Sequence, residues 1–147
     1  MTNNKQIKKV GKIGNKKVIT SVHANKKIPM NSFKSRLYYI TTPNEPNRIV
    51  AIAFYNRHTH KIEKSIDLIY DKTGNLIPFK QVKRKGKIRI VGTHTHNWSE
   101  NKENGEVGRK PHDKKNVFEP TKTDMKYIIK ALKYNQKHQN MKIKNNC

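Results

Sequence analysis

Residues able to do chemistry crowd into one stretch of this chain. Gly92-Thr93-His94-Thr95-His96-Asn97-Trp98 is followed by Gly108-Arg109-Lys110-Pro111-His112-Asp113, so three of the seven histidines share 22 positions with a Trp, an Arg and an Asp. On a strand, His94 and His96 project from one face with about 6.5–7 Å between their α-carbons. That pair suits two chemistries. Imidazoles titrate near neutrality, so one can take the proton of a ribose 2′-hydroxyl while the other protonates the leaving oxygen of a phosphodiester. Alternatively the pair can chelate a divalent metal, with His112 as a third ligand. Arg109 can set a bidentate donor on phosphate oxygens, where transition-state charge develops. Trp98 offers a face for a base, worth about 1–3 kcal/mol. Asp113 can orient an imidazole, and so can Asp67 if its strand neighbours that of His94. The pattern predicts metal-independent cleavage of RNA, with His94, His96, Arg109 and His112 as the catalytic set and no cofactor.

Plainer explanations compete at each position. A His-x-His dipeptide in a basic protein is often surface chemistry, and Trp98 serves equally well as a core anchor. Arg57-His58-Thr59-His60 repeats the pattern in an apparent hairpin turn without Trp or Gly beside it, so it reads as solvated. His23 and His138 carry no signal. The metal alternative also takes a second form. Metal-dependent peptidases of the JAB type place a Glu on one strand, then His-x-His, then a Ser and an Asp, and Glu63, His94, His96, Ser99 and Asp113 resemble that set. The chain departs from the type at Asn97, where Pro is expected, in the distance to Asp113, and in lacking a helix before the His strand.

Charge narrows the partner. Lys and Arg number 33 against 10 Asp and Glu, a net charge of +23, which points to a polyanion whose counterions are released on contact. Bias towards A/T-rich codons can enrich Lys and Asn, but it does not explain so few acids. No long basic amphipathic helix is visible, which favours nucleic acid over a membrane. Lys83, Arg84, Lys85 and Lys87 around Gly86, together with Lys110 and Trp98, are the expected nucleic-acid contacts; a solvated turn is the bland alternative for the first four. The expected partner is RNA, tRNA included. Cys147, the only cysteine, permits no internal disulfide or thiolate zinc site and suits a reducing cytosol. Met1 to Val10 carries charge but no apolar core for export, and no run approaches membrane-spanning length. The expected place of action is therefore the cytoplasm, reached by another device if the protein comes from another bacterial cell.

The elements that must position these residues read as an α+β domain. With 33% hydrophobic residues and a mean hydropathy of −0.99, one modest core with loose ends is expected. Residues 1–25 form a basic hairpin or arm turning at Gly14-Asn15, 26–136 the single domain, and 137–147 a polar tail. Strand patterns cover Ser35–Thr42, Ile49–Tyr55 (buried on both faces), Ile62–Tyr70, Leu76–Val82 and Lys87–Thr95. In the third, Ile62, Lys64, Ile66, Leu68 and Tyr70 share one face. Short connections imply an antiparallel meander of about five strands. Residues 97–120 read as a long loop. Beyond Pro120, Thr121 or Thr123 caps a helix with Asp124 in its first turn. Its stripe of Met125, Ile128, Ile129 and Leu132 covers one sheet face.

Taken in order, Ile66-Asp67-Leu68-Ile69-Tyr70-Asp71-Lys72-Thr73-Gly74-Asn75, His94-Thr95-His96-Asn97-Trp98 and Gly108-Arg109-Lys110-Pro111 resemble C-terminal domains of bacterial polymorphic toxins and of some phage minor head proteins. There a strand and an Asp-x-x-Gly-type turn precede a His-x-His-[Asp/Asn]-aromatic motif, and a Gly-Arg-Pro-like element follows. The similarity covers roughly residues 60–130. It implies a small ribonuclease of barnase-like or RelE-like shape, an active-site role for His94, His96 and Arg109, and an acidic immunity or antitoxin partner that masks a basic site. Asn97 stands where an acid is frequent, and Lys110 separates Arg109 from Pro111. The charge alone would also suit a non-catalytic nucleic-acid-binding protein of a phage or mobile element.

Overall fold

Among the described residues, short apolar runs divided by turn residues become ten strands, and the one long segment of helical period becomes a helix. The computed structural model describes residues 7–21, 28–32, 34–100, 107–109 and 117–145, with 99–100, 107–109 and 139–145 described as backbone only. The elements are β1 (Ile7–Ile13), β2 (Lys16–Ser21), β3 (Leu37–Thr41), β4 (Ala51–Tyr55), β5 (Ile62–Asp67), β6 (Lys80–Arg84), β7 (Lys87–Val91), β8 (His94–Glu100), β9 (Val107–Arg109), β10 (Val117–Phe118) and α1 (Lys122–Asn145). The main sheet runs β1-β2-β3-β4-β5-β8-β10, with β9 on β8, while β6 and β7 make a separate two-stranded ribbon.

The protein is α+β with a mostly antiparallel sheet, as its patterning predicts, but it is not a plain five-strand meander. The hairpin β1–β2 is built into the sheet because β2 pairs with β3 in parallel. The connection 22–36 is long enough for the crossover that parallel pairing requires. The run expected as one strand from Lys87 to Thr95 splits at Gly92, which has φ +84. A Cβ there would lie 2.0 Å from the Pro78 carbonyl oxygen, so only glycine fits this corner. Upstream of the corner the chain belongs to the ribbon, and downstream it enters the sheet. The expected Leu76–Val82 strand starts only at Lys80, since Leu76 makes just an isolated bridge to Tyr70. Within the expected 97–120 loop, β8 continues to Glu100, and β9 and β10 both pair with it.

A bulge changes the faces of β5. Phe54 is opposite Lys64 but Tyr55 is opposite Ile62, which leaves Glu63 as the extra residue. Ile62 therefore joins the face of Ser65 and Asp67, rather than that of Lys64 and Ile66. On that face Ile19, Tyr38, Ile40, Ala51, Ala53, Tyr55 and Ile62 form one core, with Trp98 and Met30 at its margin. On the other, Val18, Leu37, Tyr39, Ile49, Ile52, Ile66 and Leu68 pack against Ile128, Ala131 and Tyr134 of α1.

The helix starts with a reciprocal cap: the Asp124 amide donates to Thr121 Oγ1 and the Thr121 amide to Asp124 Oδ2, both at 3.1 Å. Its buried stripe is rotated from the expected one, with Met125 and Ile129 39% and 46% exposed. Asn135 fixes that rotation, accepting from the Ile49 amide at 2.7 Å and donating to the Tyr70 hydroxyl at 2.9 Å. The helix also runs on to Asn145, through the segment read as a polar tail. Among the described residues no helix is long and apolar enough to cross a membrane.

Candidate functional site

Strands β5 and β8 pair antiparallel with Asp67 opposite His94, Ile66 opposite Thr95, Ser65 opposite His96 and Lys64 opposite Asn97. Alternation along a strand then puts Asp67, Ser65, His94, His96 and Trp98 on the face away from α1. Next to them on β4, Ala51 and Ala53 pair with Asp67 and Ser65. Their methyl groups leave room for two imidazoles and a carboxylate, all buried: Asp67 is 4% exposed, His94 6% and His96 0%.

Three atoms converge. His94 Nε2 lies 2.9 Å from His96 Nε2 and 3.3 Å from Asp67 Oδ2, and His96 Nε2 lies 3.2 Å from the same oxygen. His94 Nδ1 is 2.7 Å from the Gly92 carbonyl oxygen. A carbonyl only accepts, so Nδ1 carries the proton and neutral His94 turns an Nε2 lone pair into the cluster. An ionised carboxylate brings only further lone pairs. A proton on His96 Nε2 or a bound cation would reconcile these atoms. The triangle fits a metal: with edges of 2.9, 3.2 and 3.3 Å, all three atoms lie close enough together to reach one ion at about 2.0–2.2 Å. Donation of the outer ring N–H to a backbone carbonyl is also how metal-bound imidazoles are commonly oriented. Among the described residues this is the one group of His, Cys, Asp and Glu able to hold an ion.

The same geometry alters the expected acid–base arrangement. The two rings meet edge to face, with centroids 4.6 Å apart, and the gap between their Nε2 atoms admits no phosphate group. Adjacent rings on a strand can converge as well as stand parallel, and here both side chains turn towards Asp67.

Behind the site, on the helix side, lies a second buried carboxylate. Asp124 accepts from Lys64 Nζ at 2.7 Å and from Thr95 Oγ1 at 3.1 Å. Burial pushes its carboxyl up, but the hydrogen bonds from Lys64, the Thr121 amide and Thr95, with the charge of Lys64, outweigh this and hold it below the usual carboxylate range. Thr95 stands between the two histidines, so Asp124 anchors the register of β8 from beneath.

The structure brings together His94, His96 and Asp67, the last meeting the condition that its strand adjoin theirs. Trp98 is half-buried beside them, its indole N–H donating to Ser65 Oγ at 2.8 Å, which makes it a wall of the site. Arg109 takes the register position opposite Trp98 on β9. Lys110, His112 and Asp113 lie outside the described residues. Lys83, Arg84, Lys85 and Lys87 are exposed on the β6–β7 ribbon, apart from the sheet. Of the JAB-like donor set, Glu63 is exposed at the bulge and accepts from Asn56 Nδ2 at 2.7 Å, while the Ser99 side chain and Asp113 lie outside the described residues. His58 is exposed, and His60 has φ +61 in its turn.

Sequence reasoning missed Ser65, Gly92 and Thr95 as site residues, and Asp124 beyond its role in the cap. The Thr121-x-x-Asp124 spacing was the available signal for the last. No protein-family model, curated protein or solved structure matches this chain.

Proposed function

We propose that this chain is a divalent-metal-dependent hydrolase of RNA whose ion is held by Asp67, His94 and His96. The observation that carries the proposal is the buried convergence of three electron-pair donors, one of them locked in its metal-binding tautomer by the Gly92 carbonyl. Two imidazoles and a carboxylate suit zinc, manganese or ferrous iron. The net charge of +23 points to a polyanionic substrate, and the resemblance to toxin ribonuclease domains agrees with that choice.

In the proposed reaction the oxygen of water bonds to phosphorus, the bond from phosphorus to one ribose oxygen breaks, and a proton from the water ends on that oxygen. A bound divalent ion supplies Lewis acidity for this exchange. Asp67 would offset part of the ion's charge, and His94 and His96 would hold it on the rigid sheet. Arg109 is the candidate phosphate clamp, and His112 the candidate proton donor.

The same three distances also suit a shared proton, which supports a second, metal-free proposal in which Asp67, His94 and His96 act as one coupled acid–base group. Purified protein incubated with structured RNA separates the two. Cleavage should stop in EDTA and return with zinc, manganese or ferrous iron, with one equivalent of metal bound per chain. Undiminished cleavage in EDTA leaving 2′,3′-cyclic phosphate ends would overturn the metal proposal in favour of the second. RNA binding without turnover under any metal would leave a non-catalytic binding protein.

A further inference from the structure

We infer that the β6–β7 ribbon is an arm that grips the phosphate backbone of a base-paired nucleic acid. For its choice of RNA as ligand it rests on the proposed function, but it does not depend on the metal. Between Lys80 and Arg89 six of ten residues are Lys or Arg and none is acidic. The register distributes them unevenly. Lys80 is opposite Val91, Val82 opposite Arg89 and Arg84 opposite Lys87, so one face carries four cations and two valines. The other face carries Gln81, Lys83, Ile88 and Ile90, and the buried Ile90 roots the ribbon.

Arg84 and Lys87 are like charges placed directly across a strand pair, an arrangement that destabilises sheets. Among the described residues none of the six cations forms an ion pair. A two-stranded ribbon is marginal by itself, so this one gains from an external polyanion the balance it lacks internally. The kind of polyanion follows from what is missing. Lys80–Val91 contains no aromatic residue, and single strands are held largely by bases stacking on aromatic rings. Contacts to phosphate alone suit a paired segment recognised by shape. A membrane would call for an apolar tip, and Ile88 at 41% exposure is the ribbon's one exposed large hydrophobic residue. The location is apt as well. Five residues at about 3.3 Å each reach some 16 Å from the root, and the root, Gly92-Thr93, leads directly into His94.

The test uses the full chain with a 2′-O-methyl RNA hairpin in EDTA, which neither proposed route cuts. Binding is followed by fluorescence anisotropy across a potassium chloride series. The hairpin should bind more tightly than an unpaired 2′-O-methyl oligouridylate of equal length. Arg84→Gln with Lys87→Gln should weaken binding and flatten the plot of log affinity against log salt by about 1.5–2. Lys9→Gln with Lys12→Gln, an equal charge change on exposed β1 positions, should do much less. The ribbon variant should melt no lower than the parent, since a like-charge pair has gone. A salt slope equal to the parent's, or a loss no larger than that of the β1 control, overturns the arm. Preference for the unpaired strand overturns the duplex assignment, and capture by phosphatidylserine vesicles with the hairpin ignored reassigns the ribbon to a membrane. If metal-dependent cleavage is absent while ribbon-dependent binding persists, the hydrolase proposal fails alone. If cleavage needs metal but the ribbon variant binds as the parent does, the arm fails alone.

Discussion

The two faces of the β5–β8 pair hold one buried carboxylate each and treat it in opposite ways. Towards α1, Asp124 is met by Lys64, Thr95 and the Thr121 amide, so donors match acceptors and charge is balanced. Towards the other face, Asp67 is met by two imidazole nitrogens, one of them certainly a lone pair when neutral. A structural polar cluster is satisfied from within. Around Asp67 the match of donors to acceptors depends on whether a proton or an ion lies among the three atoms. Both lie against one strand pair, Asp67 on it and Asp124 on the helix that packs over it, so depth in the fold does not distinguish them; donor and acceptor accounting does.

That contrast can be broken most severely at the metal ligands. Asp67→Ala or His96→Ala should lower metal affinity and RNA cleavage by at least about a hundredfold, since even outer-shell partners commonly matter by 10–100-fold; isothermal titration and single-turnover kinetics would measure both. Retention of metal by either variant would contradict the proposed ligand set. The stability of the metal-free protein sharpens the point. Asp124→Asn should cost about 2–3 kcal/mol in urea unfolding, moderated because Lys64 is one-third exposed. Asp67→Asn, measured in EDTA, should cost less than that, because the amide keeps one acceptor and removes a buried charge. Equal losses for both would erase the distinction between the faces.

Gly92→Ala comes next, at about 1–3 kcal/mol for a strained positive-φ corner. It should also weaken metal binding about tenfold through displacement of the carbonyl that orients His94. The smallest effect is in acid. The Asp124 carboxyl titrates below its ordinary value of 3.8, so its contribution to stability is complete above that pH and fades as pH falls through the lowered folded value. A pH series of melting temperatures should show that loss in the parent and a smaller one in Asp124→Asn.

Much of this was legible in the sequence. His94 and His96 on a strand, Asp67 conditional on adjacency, the Gly14-Asn15 turn and the Thr121 cap all follow from local chemistry. What was not legible depended on contacts between distant segments. Alternation along Ile62–Tyr70 looks unbroken, and only pairing with β4 extrudes Glu63. Gly92 looks like any strand glycine until Pro78 comes within contact of its α-carbon. The helix stripe is decided by Asn135 reaching Ile49, so Met125 and Ile129 were misplaced. Whether two imidazoles embrace a phosphate or converge on an acid is a matter of side-chain direction, which spacing does not record.

The parallel seam between β2 and β3 carries a practical lesson. Strand β3, with all five residues buried, has one flank zipped to β4 and the other shielded by the N-terminal hairpin. A variant trimmed to begin after that hairpin would bare the amides and carbonyls of Leu-Tyr-Tyr-Ile-Thr as a sticky border, open to pairing with another copy. Solubility screening of such a truncation would show clumping, and the hairpin supplied in trans as a peptide should suppress it.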